Sequence, residues 1–260
     1  MENAKIHNTA IVSEKAQIGK NAEIGPFSII EDDVIIGDNV KIKNNVLISN
    51  GARIGNDCEF HTGAIVSTDP QDLKYAGEDT YTHIGDETVV REYASINKGT
   101  VETGNTKIGK NCLIMAYCHV AHDCYISDNV IISNMTQLAG HVIIDEWVVL
   151  GGVVKVHQFS KIGKHSMIGA DTKIVKDVPP FTLVGRQPPQ VEGVNKIGLR
   201  RRGFDKNIIK NLEVFYDTVL FSGYNNKDGM EEYLKFNPEP CTEVNTCISF
   251  IKESTRGIYR

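Results

Sequence analysis

The sequence predicts an all-β solenoid, a parallel β-helix of hexapeptide repeats, followed by a helical domain at the C-terminus. First, an aliphatic residue recurs at every sixth position over most of the first 174 residues. Second, glycine often follows it and a small residue often fills the fifth place, as in "IGKNAE" and "IGKNCL". Third, the repeat stops at a proline-rich stretch, after which apolar residues follow a helical period. Neither a helix nor a simple alternating strand has a period of six, whereas hexapeptide β-helices do.

The hexads begin near the N-terminus and run in three blocks. Their aliphatic positions extend from Ile6 to Val66, with Phe60 substituting once, then from Ile84 to Ile96, and from Ile108 to Ile174. Three hexads make one triangular coil, so residues 18 apart are expected to stack about 4.8 Å apart. The aliphatic residue of each hexad then points into the core.

Two interruptions lack the aliphatic residue and carry turn-forming and charged residues, at 67–83 and 102–107. We expect both to project from the solenoid as loops. A ligand-binding role is expected for the first loop only, and the second is interpreted as a tolerated insertion.

The stretch "KDVPPFTLVGRQPPQ" marks the end of the solenoid, and we predict domains at 1–184 and 185–260. Asp205 can cap a helix that ends near Gly223. "TEVNTCISFIKES" predicts another amphipathic helix. Residues on one face of the first helix are Ile208, Leu212, Phe215 and Val219.

Composition restricts the function classes. The chain has 260 residues, 41% of them hydrophobic, and a net charge of −5, which does not favour a nucleic-acid partner. Neither a signal-peptide pattern nor an apolar run of membrane-spanning length occurs, so no stable membrane insertion and a cytoplasmic location are expected. Six cysteines in such a chain favour reduced thiols over a disulfide framework.

The densest cluster of reactive side chains is "CHVAHDC", residues 118–124. Its two cysteines occupy the small inward position of their hexads, as do Cys58 and Cys112, so they are predicted to be core residues. The histidines take outward positions. His122, His141 and His157 fall on one corner of three successive coils, next to Asp123 and Gly140. Such a column can hold zinc, or one histidine can be a general base while others bind substrate.

Loop, solenoid and tail segments together resemble one enzyme family, the UDP-N-acetylglucosamine O-acyltransferases that open lipid A synthesis. The segments are "PQDLKYAGE", "HVAHDC", "LAGHV", "GGVVKVHQF", "KDVPPF", "GVN", "GLRRRGF" and "STRG". The resemblance implies a left-handed β-helix and a homotrimer with active sites between adjacent subunits. It implies transfer of a 3-hydroxyacyl chain from acyl carrier protein to the glucosamine 3-position of UDP-N-acetylglucosamine, with no metal or cofactor.

By the same similarity, His122 is the general base, Asp123 orients it, and the backbone N–H near Gly140 stabilises the thioester oxyanion. The resemblance also implies residues that bind the nucleotide sugar or the acyl donor: Asp72, Lys74, His119, His141, His157 and Gln158, with Asn195 and Arg201 reaching the uridine diphosphate. Met167, Gly169 and Ala170 are expected along the acyl-chain groove.

Three positions depart from the family pattern. Asn97 stands where the family often has histidine, and Ile197 where a glutamate is expected two places after Asn195. Both positions are expected near the sugar, so the acceptor can carry a 3-hydroxyl or a 3-amino group. Ala170 replaces a glycine common where the acyl chain ends, which leaves the chain length open.

Residues 196–210 are rich in Lys and Arg, which suits docking of an acidic carrier protein. Two other functions remain open. A zinc hydratase of the γ-carbonic-anhydrase type is also a hexapeptide trimer with interfacial histidines, but it does not need the basic tail. A noncatalytic solenoid scaffold is disfavoured by the histidine column, the loop at 67–83 and "LRRRGF".

Overall fold

The structure is a computed structural model that describes residues 3–260. Short parallel strands follow one another around a triangular coil, and each belongs in turn to one of three sheets, which we call sheets A, B and C. Pairing joins Ile24 to Ile42 and Ile132 to Leu150, each pair 18 residues apart. The predicted coil register is therefore confirmed.

The sheets have 11, 9 and 8 strands. Sheet A contains β1 (Lys5–Ile6), β4 (Glu23–Ile24), β7 (Lys41–Ile42), β10 (Glu59–Phe60), β13 (Val89–Val90), β16 (Leu113–Ile114), β19 (Ile131–Ile132), β22 (Val149–Leu150), β25 (Met167–Ile168), β27 (Thr182–Gly185) and β28 (Gln190–Val194). Sheet B contains β2 (Ile11–Val12), β5 (Ile29–Ile30), β8 (Leu47–Ile48), β11 (Ile65–Thr68), β14 (Ser95–Asn97), β17 (His119–Val120), β20 (Gln137–Leu138), β23 (Lys155–Val156) and β26 (Lys173–Ile174). Sheet C contains β3 (Gln17–Ile18), β6 (Ile35–Ile36), β9 (Ala52–Ile54), β12 (Tyr81–Ile84), β15 (Asn105–Ile108), β18 (Tyr125–Ile126), β21 (Ile143–Ile144) and β24 (Lys161–Ile162).

The core of the solenoid is a stack of aliphatic side chains inside the coils. From Ile18 onwards, the last aliphatic residue of each hexad is buried. The predicted inward cysteines are buried and unpaired, which confirms their assignment to the core. Burial raises the pKa of Cys118 to about 11 and that of Cys124 to about 12, so these thiols stay protonated at neutral pH.

The turns between strands require the left-handed backbone conformation. Asn21 and Asn39 adopt it with φ of 56° and 58°, and their amides hydrogen-bond from coil to coil at 3.1 Å. Asparagine tolerates this conformation better than most residues, which explains why it stands two places after the glycine in both hexads. Asp123 and His141 adopt it too, with φ of 60° and 61°.

The two predicted loops are shorter than the sequence indicated. Strand β11 continues to Thr68, β12 begins at Tyr81 and β15 begins at Asn105, so the loops cover residues 69–80 and 98–104. Thr82 pairs with Thr106, so threonines rather than aliphatic residues continue the ladder there. Because these positions carry threonine, the aliphatic period could not reveal where the two loops begin and end.

The C-terminal segment adds an antiparallel strand and four α-helices. β27 pairs with β25 in parallel, and β28 folds back along β27. The helices are α1 (Lys196–Arg201), α2 (Lys206–Tyr216), α3 (Asn226–Phe236) and α4 (Thr242–Glu253), with a π-helical turn at Asp217–Phe221.

Both helices expected from the sequence are present as α2 and α4. The Asp205 carboxylate accepts a hydrogen bond from the backbone N–H of Asn207 at 2.7 Å, as expected of a cap. The sequence pattern missed α1, α3 and the β27–β28 hairpin, and the domain boundary at 184/185 stays a prediction. Among residues 3–260, no helix combines the length and the apolarity needed to cross a bilayer.

Candidate active site

Two loops flank the corner at which sheet B passes into sheet C. We call this the histidine corner, residues 122–123, 140–141 and 158–159. A cleft of about 790 Å³ lies between the corner and the two loops. It is lined by Asp72, Lys74, Tyr75, Thr100, Thr103, His122, His141, Gln158 and Phe159, among others.

His122 and Asp123 form a hydrogen-bonded pair at the base of this cleft. His122 Nδ1 lies 2.7 Å from Asp123 Oδ2, and the Asp123 side chain is fully buried. Because a carboxylate only accepts hydrogen bonds, His122 Nδ1 carries a proton and Nε2 keeps a lone pair. His122 is therefore oriented to accept a proton from a group in the cleft.

The charge of Asp123 is stabilised by the second loop. The Thr100 backbone N–H donates at 3.0 Å, the Thr100 hydroxyl at 2.7 Å, and the Thr103 hydroxyl donates as well. Burial by itself raises the pKa of Asp123, but hydrogen bonds from Thr103, His122 and Thr100 outweigh it and hold the pKa below its ordinary value. This loop, interpreted from the sequence as a tolerated insertion, thus contacts the Asp123 carboxylate.

His141 lies beside the pair but His157 does not. His141 Nε2 is 3.6 Å from Asp123 Oδ2, its ring meets His122 edge to face, and Phe159 stacks on its other side with ring centres 4.5 Å apart. His157 lies on the same corner of the next coil, yet its Nδ1 faces the Arg256 guanidinium at 2.9 Å. The predicted column of three is thus a pair plus a separate histidine.

Gly140 lies directly against the His122 ring. A Cβ on this residue would lie 2.6 Å from His122 Cε1 and 2.8 Å from Nε2, so only glycine allows the ring its position. Gly140 is buried, and no acceptor for its backbone N–H is found within residues 3–260. A buried, unpaired N–H beside a base suits a developing oxyanion.

His119 faces a second, smaller cleft on sheet B, of about 370 Å³, which begins at His122 and Gly140 and also holds His157. The Ser95 hydroxyl lies 2.8 Å from His119 Nδ1. Burial lowers the pKa of His119, and the neighbouring His122 lowers it further. His119 is therefore neutral at pH 7 and can donate or accept one hydrogen bond in this cleft.

The first loop reaches the cleft and is tied to the solenoid at its base. Lys98 forms an ion pair with Asp69 at 2.9 Å and lies over the Tyr75 ring. The Asn97 amide donates to Thr68 Oγ1 and to the carbonyl of Asp69, each at 3.0 Å. Asn97 is buried in the loop base and does not line the cleft.

Five further predicted residues are not brought to His122 within one chain. Asn195 is buried and caps α1, and its amide donates to the His165 carbonyl at 2.9 Å. Arg201 ends the same helix, which begins beside His165, at the corner between sheets C and A. Met167, Gly169 and Ala170 lie on β25 and in the turn after it, outside both clefts.

The donor atoms at the corner admit more than one chemistry. His122, Asp123 and His141 each offer one ligand atom within 4.8 Å of the others, which are donor types that zinc accepts. The same contacts also describe a histidine base held by a carboxylate. The three side chains therefore have the composition of a zinc site and also the contacts of a carboxylate-held base.

Several residues of the site carried no signal in the sequence. Thr100 and Thr103 lie in a polar loop that has no repeat. Phe159 occupies a coil corner, and nothing in the sequence distinguishes it from the residues at the other corners. The spacing "GTVETG" around Thr100 and Thr103 indicates a turn but not which side chain it contacts.

The chain is similar to known proteins along most of its length. A family model described as "Udp N-acetylglucosamine O-acyltransferase; Domain 2" matches residues 177–259, and the bacterial transferase hexapeptide model matches 15–50 and 105–140. The acyl-[acyl-carrier-protein]–UDP-N-acetylglucosamine O-acyltransferase of Alkalilimnicola ehrlichii is 41% identical over 76% of each chain. That of Thiobacillus denitrificans is 42% identical over 74% of each.

Solved structures agree with these relatives. The UDP-N-acetylglucosamine acyltransferase of Bacteroides fragilis has a TM-score of 0.96 at 40% identity, covering 98% of this chain and 100% of its own. The enzyme of Moraxella catarrhalis has a TM-score of 0.93 at 38% identity, covering 98% and 99%. The predicted left-handed hexapeptide β-helix with C-terminal helices is confirmed, and neither the zinc hydratase nor the scaffold finds support in these matches. The chain belongs to the UDP-N-acetylglucosamine O-acyltransferase family.

Proposed function

We propose that this protein transfers a 3-hydroxyacyl chain from acyl carrier protein to the glucosamine 3-position of UDP-N-acetylglucosamine, the reaction that opens lipid A synthesis. The observation that carries the proposal is the buried His122–Asp123 pair with Gly140 against it, at the base of a polar cleft. Acyltransferases at about 40% identity support the reaction type.

His122 supplies the base for this chemistry. Its Nε2 takes the proton of the acceptor hydroxyl as that oxygen attacks the thioester carbon. The carbonyl oxygen becomes an oxyanion facing the Gly140 N–H, then the C–S bond breaks and the thiolate takes the proton back from the imidazolium. Asp123 stays ionised throughout, because the hydrogen bonds that it accepts favour the charged carboxylate, and it stabilises the imidazolium.

The substrates would divide between the two clefts. Asp72, Lys74, His141 and Gln158 border the larger cleft, which suits the hydroxyls of a sugar. His119 and His157 border the smaller cleft on sheet B, which suits the donor. No resident metal or cofactor takes part in this scheme.

We propose a hydroxyl rather than an amine as the acceptor group. Two exchanges left a 3-amino sugar open: Asn97 for a family histidine and Ile197 for a family glutamate. The Asn97 side chain is 2% exposed and its amide donates to the loop base, so the first of these exchanges does not select the acceptor.

A homotrimer with active sites shared between subunits would explain why several predicted site residues lie far from His122 within one chain. Asn195 and Arg201 lie beyond sheet C from His122, so an adjacent subunit would bring them to the cleft to bind the uridine diphosphate. Met167, Gly169 and Ala170 would border the end of the acyl chain in a groove completed by the neighbour. Since acyl carrier protein and a nucleotide sugar are its substrates, we place the enzyme in the cytoplasm.

One incubation tests the function directly. The purified protein would be mixed with UDP-N-acetylglucosamine and a panel of 3-hydroxyacyl carrier protein thioesters, and the products analysed by mass spectrometry. We expect an O-acylated nucleotide sugar whose mass reports the chain length. If no thioester of the panel yields an acylated product, the proposal is wrong.

His122 and His119 provide the matched pair of variants. His122→Ala should lower kcat by about 10² to 10⁴-fold and leave the affinity for UDP-N-acetylglucosamine nearly unchanged, because proton transfer contributes only in the transition state. His119→Ala should have a smaller effect on kcat. A folded His122→Ala protein with near-normal turnover would contradict the assignment of the base.

A further inference from the structure

The first loop carries Asp72 and Lys74 to the larger cleft, and its own hydrogen bonds join both to Tyr75. The Lys74 N–H donates to Asp72 Oδ1 at 3.0 Å, and the Tyr75 N–H donates to the Asp72 carbonyl, also at 3.0 Å. The Tyr75 hydroxyl donates to the Glu78 carbonyl at 3.1 Å. This part of the loop is therefore one compact turn, and a contact that fixes the Tyr75 ring also fixes Asp72 and Lys74.

The Tyr75 ring meets the ammonium group of Lys98, the first residue of the second loop. Lys98 Nζ is 5.5 Å from the ring centre and 2.9 Å from Asp69 Oδ1, at the start of the first loop. The Lys98 side chain is only 13% exposed, whereas that of Asp69 is 71% exposed. Lys98 lies outside both clefts, so its side chain contacts the first loop rather than a ligand in the cleft.

Lys98 stays charged in this position. Burial by itself lowers the pKa of its ammonium group, but the interactions with Asp69 and Tyr75 outweigh burial and raise the pKa above its ordinary value. A cation near an aromatic face is attracted to the ring, and more strongly where water is excluded. Lys98 thus holds the first loop by two contacts, one at its first residue and one at its middle.

The backbone of the same segment has a separate role. The Lys98 N–H donates to the Thr68 carbonyl at 3.0 Å, and the Gly99 N–H donates to the Tyr81 carbonyl at 3.1 Å. These bonds fix the chain next to Thr100, which donates to the buried carboxylate of the histidine corner. They do not involve the Lys98 side chain, so a substitution of that side chain should leave the base and its carboxylate in place.

We propose that Lys98 is a positioning residue for the acceptor, whose ammonium group holds the first loop in the conformation that presents Asp72 and Lys74 to the nucleotide sugar. This inference rests on the proposed function and adds to it a residue outside the cleft. A loop that is fixed in advance binds its ligand more tightly, because less conformational freedom is lost on binding. The Lys98 side chain should therefore affect acceptor affinity and not turnover.

The test combines steady-state kinetics for both substrates with titration calorimetry of UDP-N-acetylglucosamine binding. Lys98→Met keeps an unbranched apolar side chain and removes the charge. We expect it to raise both the KM and the Kd for UDP-N-acetylglucosamine at least about tenfold, because it loses an ion pair and a cation–π contact together. The kcat and the KM for the acyl donor should stay within about twofold of the wild type.

Three further variants separate the contact from general effects. Lys98→Arg keeps a charge that can pair with Asp69 and lie over the Tyr75 ring, so it should restore most of the acceptor affinity. Asp69→Asn changes only an exposed group and should weaken acceptor binding in the same direction, which tests the contact even if Lys98→Met folds poorly. Lys107→Met removes an exposed lysine from sheet C, away from both clefts, and should behave as the wild type.

Limited proteolysis reports the position of the loop directly. Lys74 is exposed, so trypsin can cleave after it when the loop opens away from the solenoid. Cleavage at Lys74, followed by mass spectrometry, should be faster in Lys98→Met than in the wild type, and UDP-N-acetylglucosamine should protect the wild type more than the variant. Cleavage at the exposed Lys227 of α3 should be the same in both.

Wild-type acceptor affinity in Lys98→Met would overturn the proposal. Equal increases in the KM of both substrates, or faster cleavage throughout the chain, would overturn it too, because they indicate a general loss of structure. Binding and proteolysis are measured without turnover, so these outcomes are distinct from failure of acyl transfer. A protein in which Lys98 controls the affinity for UDP-N-acetylglucosamine, but which acylates no nucleotide sugar, would refute the proposed function and keep this inference.

Discussion

At the scale of single residues, the site depends on how Asp123 is kept ionised. Its carboxylate accepts from Thr100 and Thr103 of the second loop and from His122. A lowered pKa means that the stabilising charge is present above the ordinary carboxyl value and is lost only as the pH falls through the lower, folded value.

Thr100→Val removes one of these hydroxyl donors, and we expect the pKa of Asp123 to rise. The carboxylate would then protonate at a higher pH, so the acid limb of the kcat profile should move upward, and kcat at pH 7 should fall about tenfold. Thr100→Ser keeps the hydroxyl and should restore the wild-type profile. The measurement is kcat against pH for the three proteins, and identical profiles would contradict the role of Thr100.

A second prediction concerns the space beside the His122 ring. Gly140→Ala would put a methyl group 2.6 Å from His122 Cε1, so the imidazole must move. A shift of about 1 Å at a catalytic group can lower kcat about 10²-fold. Gly152→Ala is the control, because its Cβ would meet only the Asn134 carbonyl, at 3.4 Å. Equal kcat values for the two variants would argue against the described packing.

At the scale of elements, a cluster of aromatic rings joins the last coils to the helical tail. His165 stacks on Phe181, contacts Phe204 edge to face and lies parallel to Trp147. Burial lowers the pKa of His165 to about 4, with smaller contributions from the positive charges of Arg202 and Lys164. The ring is neutral in the folded protein at physiological pH.

This arrangement predicts a pH-dependent stability. The unfolded chain takes up a proton at His165 near pH 6.5, and the folded chain only near pH 4. Between these values the unfolded state binds more protons than the folded state. The free energy of unfolding should therefore decrease as the pH is lowered from 6.5 to 4, by at most about 1.4 kcal/mol per pH unit.

Urea unfolding at pH 7 and pH 5 measures that slope. His165→Phe keeps an aromatic ring without a titrating group, so its stability should change less between the two pH values than that of the wild type. The same loss of stability in both proteins would place the titration elsewhere.

At the scale of the whole molecule, the solenoid has an exposed apolar edge. The corner between sheets A and B presents Tyr93, Tyr117, Met135 and Val153 on successive coils, each more than a third exposed. Tyr93 and Tyr117 stack with ring centres 5.3 Å apart. Such a continuous apolar edge is typical of a subunit interface.

Mixed assemblies test the shared site. His122→Ala and Arg201→Ala should each be poorly active alone. If each site takes His122 from one subunit and Arg201 from its neighbour, refolding the two together at equal amounts should restore activity at about a quarter of the sites. Light scattering of the wild type should give three times the chain mass. Absence of recovery in verified mixed trimers would contradict the sharing of these residues between subunits.

The sequence alone determined the repeating architecture of this protein. The hexad period predicted the coil register, the inward cysteines and the corner on which His122 and His141 meet, because stacking in a solenoid depends only on spacing. Helices α2 and α4 followed from a cap and an apolar face.

Only the tertiary structure decided how the site is completed. Thr100 and Thr103 reach Asp123 from a loop without a repeat, Asn97 turns into the loop base, and Arg256 meets His157 from 99 residues away. A period predicts what lies above or below a residue in the next coil. It carries no information about insertions and tails, since their positions are set by hydrogen bonds and packing between segments distant in the chain.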